Sequence, residues 1–493
     1  MRTTIVGPSL RSGRQSWFVL LLLVTLTRAS AAQVPRPQPM TAEERVAYLA
    51  HLRAAAELDR GLMMARLGIK EPASLPAPAS DPNRPPFLTQ RPGSTNWYDA
   101  AGNTYVRSAW GVWSNYDEFL VGSFSLPDPL LLKSGERVTD AATWWTRRRP
   151  EVLDDYLTEI YGRIPPSTPK VTFEVTGVDS TTFPGRAIVK RVVGKIDNAS
   201  YPAAKPSIEI TMYLPPGATA RVPIVTLVGF FFGRQANQLP DAVSQVIAHG
   251  WAFATVNPGA VQADNGAGLS EGIIGLVNHG MPRKPDDWGV LAAWSWGMSR
   301  ALDYFETDRA IDARRAAIAG HSRWGKTALL AGALDQRWAI VWPSCSGAMG
   351  ASLEKRNWGE TIDNVAGTGE YHWMAGNFLK YAGHWNDMPV DAHELVALVA
   401  PRPVFITGGT TDQWSDPHGE FLAALGADPV YRLLGKNGLG TTSMPSPGVA
   451  LIDGDLAFRN HEGGHTDAPD WPVFLQFAQR YFNASAPRSG GSL

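Results

Sequence analysis

The segment Ala316-Ala317-Ile318-Ala319-Gly320-His321-Ser322-Arg323-Trp324-Gly325-Lys326-Thr327-Ala328-Leu329-Leu330 reads as a strand, a sharp turn and a helix. A nucleophilic serine needs its hydroxyl at the tip of such a turn. Small neighbours there tolerate a strained backbone, and the helix N-terminus favours developing negative charge. Gly320 and Gly325 provide that room around Ser322, although the fifth position of the usual G-x-S-x-G pattern is Trp324 and the glycine comes one residue later. The same residues complete G-x-x-x-x-G-K-T from Gly320 to Thr327, the pattern of a phosphate loop that binds nucleotides. Two features disfavour that rival. The motif lies late in the chain, and no strand ending in a magnesium-binding aspartate pairs with it.

A serine nucleophile needs a base and an acid, and both follow Ser322. Asp412 comes after the apolar run Val404-Phe405-Ile406-Thr407 and the turn Gly408-Gly409-Thr410-Thr411, which places a carboxylate just past the C-terminal end of a strand. His465 lies in His461-Glu462-Gly463-Gly464-His465, between the strand-like run 449–452 and the helix-like run 471–482; His461 is its local competitor. The order serine, acid, histidine is the one used by α/β-hydrolase folds.

The elements around these residues fit such a fold. From about Ser207, short β-rich runs (208–214, 224–228, 252–256, 316–319, 339–342, 404–407 and 449–452) alternate with helical stretches such as 288–305 and 327–333. That alternation predicts βαβ units and a parallel sheet. Of the 493 residues, 44% are hydrophobic and 18% charged, and the net charge is -1. A large core is affordable on that composition, and a nucleic-acid footprint is excluded. Arg2, Arg11 and Arg14 precede the apolar run 17–24, and Ala29-Ser30-Ala31 supplies small residues for a signal peptidase, so residues 1–32 read as a secretory signal of an exported protein. That run is short for a bilayer span and no later stretch anchors the chain, so no stable membrane insertion is expected. Residues 33–95 read as an N-terminal helix, starting near Thr41 and continuing toward Leu67, followed by a strap carrying Pro72, Pro76, Pro78, Pro82, Pro85 and Pro86. Residues 96–485 form the catalytic domain and 486–493 a tail. Cys345 is the only cysteine, so no intramolecular disulfide forms.

Beyond the elbow, several ordered blocks resemble one family. They include Arg147-Arg148-Arg149-Pro150-Glu151-Val152-Leu153 with Tyr161-Gly162-Arg163, Pro285-Asp286-Asp287-Trp288-Gly289, Gly320 to Lys326, Arg356-Asn357-Trp358-Gly359-Glu360, Asp391 to Leu395 running on to Pro401-Arg402-Pro403, and Asp412-Gln413-Trp414. Together they resemble the bacterial glucuronoyl esterases of carbohydrate esterase family fifteen. The resemblance implies an α/β-hydrolase three-layer sandwich with a mostly parallel central sheet. It also implies a substrate in which 4-O-methyl-glucuronic acid on xylan is esterified to an alcohol, often one of lignin. Carried over by position, Ser322 is the nucleophile, His465 the base, Asp412 the acid and Arg323 the oxyanion donor. Lys326, Glu360 and Trp414 hold the sugar. Lys326 lies four residues beyond Ser322, on the same helix face, from which its ammonium reaches sugar hydroxyls.

The expectation is a monomeric serine esterase acting on glucuronoxylan or lignin-carbohydrate esters without metal or organic cofactor. The alternatives are a carbohydrate acetylesterase and a catalytically silent carbohydrate-binding relative. Two departures bear on the carry-over. Many relatives place a glutamate in the loop where this chain has Ser344-Cys345-Ser346-Gly347, so the acid role falls on Asp412. The loop Gly229-Phe230-Phe231-Phe232-Gly233 lacks the asparagine that relatives usually carry there.

Overall fold

In this computed structural model, residues 41–70, 75–231 and 238–483 are described. The expected signal at 1–32, the start of the proline strap and the tail at 486–493 lie outside them. The chain divides into two units, Met1–Ala47 and Tyr48–Leu493, and every candidate site residue belongs to the second.

Runs of branched and small apolar residues form ten strands of one sheet: β1 Val171–Asp179, β2 Ile188–Ile196, β3 Ser207–Leu214, β4 Val222–Val228, β5 Ala252–Asn257, β6 Ile311–His321, β7 Ile340–Ser344, β8 Val404–Gly409, β9 Ala450–Leu451 and β10 Leu456–His461. Their spatial order is β9-β10-β8-β7-β6-β4-β5-β3-β2-β1. The six strands from β10 to β5 are mutually parallel. β9 at one edge and β3, β2 and β1 at the other join antiparallel.

Parallel strands are covered on both faces, and their side chains are therefore apolar in both directions. Val225, Leu227, Ala317, Ala319, Trp342 and Phe405 pack with helices α2 Asp241–Ala248 and α7 Trp471–Phe482. Ile224, Val228, Ile318, Val341 and Ile406 face the other layer, made of α3 Val290–Thr307, α4 Arg323–Leu334, α5 Ala392–Val399 and α6 Pro417–Leu433. This is the three-layer sandwich expected from the sequence. The N-terminal helix α1, Ala42–Leu67, opens on a reciprocal cap: the Thr41 amide donates to the Glu44 carboxylate and the Glu44 amide to the Thr41 hydroxyl. No helix among the described residues is long and apolar enough to cross a membrane.

Two details differ from the sequence reading. The strand before His465 is Leu456–His461, while the run 449–452 supplies only the two-residue edge strand β9. The antiparallel strands β1 and β2 carry no apolar run long enough to announce them, because much of β1 faces solvent.

The ends of the parallel strands place the chemistry. Ser322 follows β6, Cys345 follows β7, Asp412 follows β8 by three residues and His465 follows β10 by four. Open α/β sheets bind ligands in the crevice beyond these carboxyl ends. A Cβ added at Gly320 would overlap the Trp324 carbonyl, because α4 leaves the strand immediately above it. Gly320→Ala is expected to cost about 3 kcal/mol of stability through forced backbone movement and to lower turnover by at least ~100-fold through displacement of Ser322. Thermal unfolding together with steady-state kinetics checks both.

Candidate active site

Ser322 occupies the left-handed region, with φ 59° and ψ -132°, between the last residue of β6 and the first of α4. Its amide donates to the Ser344 carbonyl at 2.9 Å, and its own carbonyl accepts from the amides of Gly325 at 2.7 Å and Lys326 at 3.1 Å. These bonds make a nucleophile elbow and leave no phosphate cradle. The lysine of the rival motif is also committed elsewhere: its ammonium is buried and donates to Ser346 O at 2.7 Å, Ala348 O at 2.6 Å and Glu360 Oε2 at 2.6 Å.

Ser322 and His465 line one cavity of about 670 Å³ with Phe230, Pro258, Gly259, Asp264, Trp294, His321, Arg323 and Trp324. His465 Nδ1 lies 2.7 Å from Asp412 Oδ2, and the Asp412 side chain is 4% exposed. Burial pushes the Asp412 carboxyl up, but the His465 hydrogen bond and charge outweigh it and hold it below the ordinary carboxylate range. The two loops are joined directly, the Thr411 amide donating to Gly463 O at 2.8 Å and the Thr410 amide to His461 O at 2.9 Å. His461, the competitor, is fully buried with Nδ1 2.9 Å from Asp470 and Nε2 3.0 Å from the Gly464 carbonyl. Burial opposes its charge, yet Asp470 raises its pKa. It holds the loop that carries His465.

Two other carboxyls near Asp412 have different partners. Asp416 bonds Arg356 Nε at 2.9 Å. Glu420 is fully buried, its Oε1 accepting from the amides of Ser346 at 2.8 Å and Gly347 at 3.2 Å, while Oε2 has no partner. Burial pushes Glu420 well above the usual carboxylate range. Cys345 donates its thiol toward Thr466 O at 3.7 Å, and burial pushes that thiol up. Ligand atoms of Cys345, Asp412 and His465 lie within 4.8 Å of one another, a grouping able to hold a metal ion. Asp412 and His465 are spent on each other.

Lys326, Glu360 and Trp414 come together, since the Glu360 amide donates to Trp414 O at 2.9 Å and Glu360 pairs with Lys326. Lys326 differs from the sequence expectation of a free sugar donor. Its three protons already have protein acceptors, and a sugar hydroxyl would have to displace one of them.

Four residues near Arg323 escaped the sequence reading because no local motif marks them. Asp264 Oδ2 accepts from Arg323 Nη1 at 2.7 Å, and its Oδ1 from Trp373 Nε1 at 2.7 Å and His372 Nε2 at 3.0 Å. Glu370 lies near the same charges; burial and then the Glu360 carboxylate push it up to about 7.

Comparison with known proteins agrees with this geometry. A family model described as glucuronyl esterase, fungi, matches residues 199–435. A carbohydrate esterase from an unknown prokaryotic organism is 37% identical over 409 residues, 76% of this chain and 93% of that protein. The chain belongs to the glucuronoyl esterases of carbohydrate esterase family 15. The solved structure of a member from Teredinibacter turnerae superposes with a TM-score of 0.73 at 36% identity, covering 86% of this chain and 99% of that one. A glucuronoyl esterase from Solibacter usitatus gives 0.67 at 36% identity over 73% of this chain and 99% of its own. A 4-O-methyl-glucuronoyl methylesterase of Wolfiporia cocos is 30% identical over 63% of this chain and 72% of that protein.

Asp412→Asn is expected to lower kcat by roughly 10³- to 10⁴-fold, since the amide no longer fixes the histidine tautomer. Cys345→Ala should stay within about threefold, the thiol being a small packed group. Kinetics of the two purified variants on one ester decide whether Asp412 is the acid.

His321 packs its ring 4.3 Å from that of His465, and burial followed by the His465 charge lowers its pKa from 6.5 to about 4. The unfolded chain therefore binds this proton first as the pH falls, and stability drops between about 6.5 and 4. His321→Asn is expected to flatten that part of the curve of Tm against pH.

Proposed function

We propose that this family member cleaves esters of (4-O-methyl-)D-glucuronic acid, as in lignin-glucuronoxylan linkages, through an acyl-enzyme on Ser322. The observation that carries the reading is the elbow at Ser322 sharing a cavity with His465, which is itself bonded to Asp412.

In the first half-reaction His465 Nε2 takes the hydroxyl proton as Ser322 Oγ attacks the uronate carbonyl, and Asp412 stabilises the resulting imidazolium through Nδ1–H. The negative oxygen that develops faces the start of α4, where Arg323 donates to it from its guanidinium and its amide. Collapse breaks the bond to the alcohol, which leaves with the proton from His465. Water then loses a proton to His465 and attacks the acyl-enzyme; collapse breaks the bond to Ser322 Oγ, which takes that proton back from His465 as the uronic acid leaves.

The family resemblance makes Glu360 and Trp414 the residues that hold the sugar, with Lys326 pairing the buried Glu360 carboxylate. The sequence pattern of Arg2 to Ala31 supports export to the periplasm or medium. The curated relatives named for glucuronoyl ester cleavage favour glucuronate over acetate as the acyl group.

Ser322→Ala is expected to lower hydrolysis of benzyl glucuronate by more than ~10⁴-fold while leaving thermal stability within about 1 kcal/mol. Wild-type turnover of benzyl glucuronate should exceed that of benzyl galacturonate and of an aryl acetate. Substantial residual turnover in the variant overturns the nucleophile, and preference for the acetate overturns the substrate.

A further inference from the structure

The cavity beside Ser322 contains an ion pair whose purpose the ester chemistry alone does not explain. Arg323 donates Nη1 to Asp264 Oδ2 at 2.7 Å, so the cation placed to meet the negative oxygen already has an anionic partner. Asp264 is anchored from behind. Trp373 Nε1 and His372 Nε2 both donate to its Oδ1, at 2.7 Å and 3.0 Å, and the Arg323 guanidinium lies over the Trp373 ring at 5.0 Å. His372 is 2% exposed and its Nδ1 is buried without a partner, the pattern of a neutral imidazole with its proton on Nε2. Burial lowers the pKa of His372 in agreement. Burial raises Asp264, but the His372 bond and the Arg323 charge bring it down to about 2, so it is an anion at every working pH.

The consequence concerns charge on the two sides of the reaction. An ester is neutral. Its hydrolysis yields an acid that loses its proton to solvent and becomes a carboxylate, formed within reach of an arginine. A guanidinium free of other partners binds a carboxylate through two parallel hydrogen bonds, one of the stronger pairings in proteins. A lone Arg323 would therefore hold the product far better than the substrate.

We propose that Asp264 is a positioning residue that keeps Arg323 aimed at the acyl oxygen and, by balancing its charge, prevents it from retaining the uronate product. The inference rests on the proposed function, in which Arg323 faces the acyl oxygen. Because one guanidinium nitrogen stays on Asp264, the product meets a nearby carboxylate as well as the arginine. The developing oxygen, held covalently on Ser322, still has the remaining donors of Arg323. Transition-state stabilisation is thereby kept while ground-state affinity for the product is lowered.

The test measures kcat, KM and product inhibition on benzyl glucuronate with the full chain. Asp264→Asn keeps the size and one acceptor but removes the charge. Its expected effects are a Ki for D-glucuronate about tenfold lower than wild type, a KM within about threefold, a kcat reduced about tenfold, and no change in inhibition by the uncharged glucuronamide. Arg323→Ala added to Asp264→Asn should abolish the tightened inhibition, and the kcat losses of the two changes should not multiply, since one acts through the other. Should the Asn variant fail to fold, Asp264→Ser, with less to bury, takes the same measurements. A Ki for glucuronate that is unchanged or higher in a folded variant, with an active wild type, overturns the inference alone. A wild type that does not cleave the ester overturns the proposed function and the inference with it.

Discussion

Ser322 is held at φ 59°, a conformation that costs a non-glycine residue on the order of 1–3 kcal/mol and persists only where the surroundings enforce it. The enforcement begins in the sheet. The parallel register pairs Ser344 of β7 with His321 of β6, and the next amide along, that of Ser322, meets the Ser344 carbonyl at 2.9 Å. From the other side α4 closes on the Ser322 carbonyl through Gly325 and Lys326. A Cβ at Gly325 would lie 2.9 Å from Ser344 O, so the helix approaches β7 this closely only because glycine stands there. Two things follow from one backbone geometry: the hydroxyl lies at the cavity, and the side chain of Lys326 is driven inward beneath it.

That inward direction accounts for the charged floor under the site. Lys326 cannot be buried alone, because the effective penalty for an unpaired ion is several kcal/mol. Glu360 and two carbonyls meet all of its donors. The neighbouring loop from Ser346 to Gly347 is tied down by Glu420, and Arg356 joins the cap of α6 through Asp416. Buried ion pairs of this kind add little net stability over apolar packing, but each fixes the position of its loop, since breaking one pair leaves a charge stranded. The same logic extends to Asp264, whose three donors come from two segments far apart in sequence.

How much of this was legible in the sequence depends on how local each feature is. The elbow is a strand, a turn and a helix within fifteen residues, so Ser322 could be found from spacing alone. Asp412 was legible for a similar reason, as a carboxylate just past the apolar run of β8. The element leading to His465 was misplaced because β10 ends in Arg459, Asn460 and His461, which break the apolar pattern, although Asn460 and His461 are buried. The antiparallel strands β1 and β2 carry no continuous apolar signal, because β1 is an exposed edge and the run of β2 is broken by Lys190, Arg191 and Lys195. Burial of Lys326 was the harder matter. A lysine in the first turn of a helix reads as solvated, and only the tertiary position of Glu360, 34 residues on, reveals it as a paired core residue. Asp264 is 59 residues from Arg323 and 108 from His372, with nothing in its own neighbourhood to distinguish it.

Cys345 and Asp412 stand at the ends of neighbouring strands, and the two loops make different use of that position. The crevice beyond the strand ends brings the loops after β7 and β8 to the same histidine, so a carboxylate from either could bond Nδ1. Here the β7 loop offers Cys345, whose thiol is buried, has its pKa pushed up and donates toward the Thr466 carbonyl. A neutral thiol can neither stabilise an imidazolium nor compete for its proton. The β8 loop is held by several bonds of its own. The Asp412 amide closes a turn onto Gly409 O at 2.9 Å, the Thr410 and Thr411 amides bond the His465 loop, and Gly409 leaves space where a side chain would strike the Gly464 carbonyl. Ser415 adds a hydroxyl 3.5 Å from His465 Nδ1 while donating to Cys345 O at 3.2 Å, which ties the two loops together beside the imidazole. With both strand-end loops joined at this point, Asp412 and His465 are held in register with each other by bonds between their loops as well as by their own.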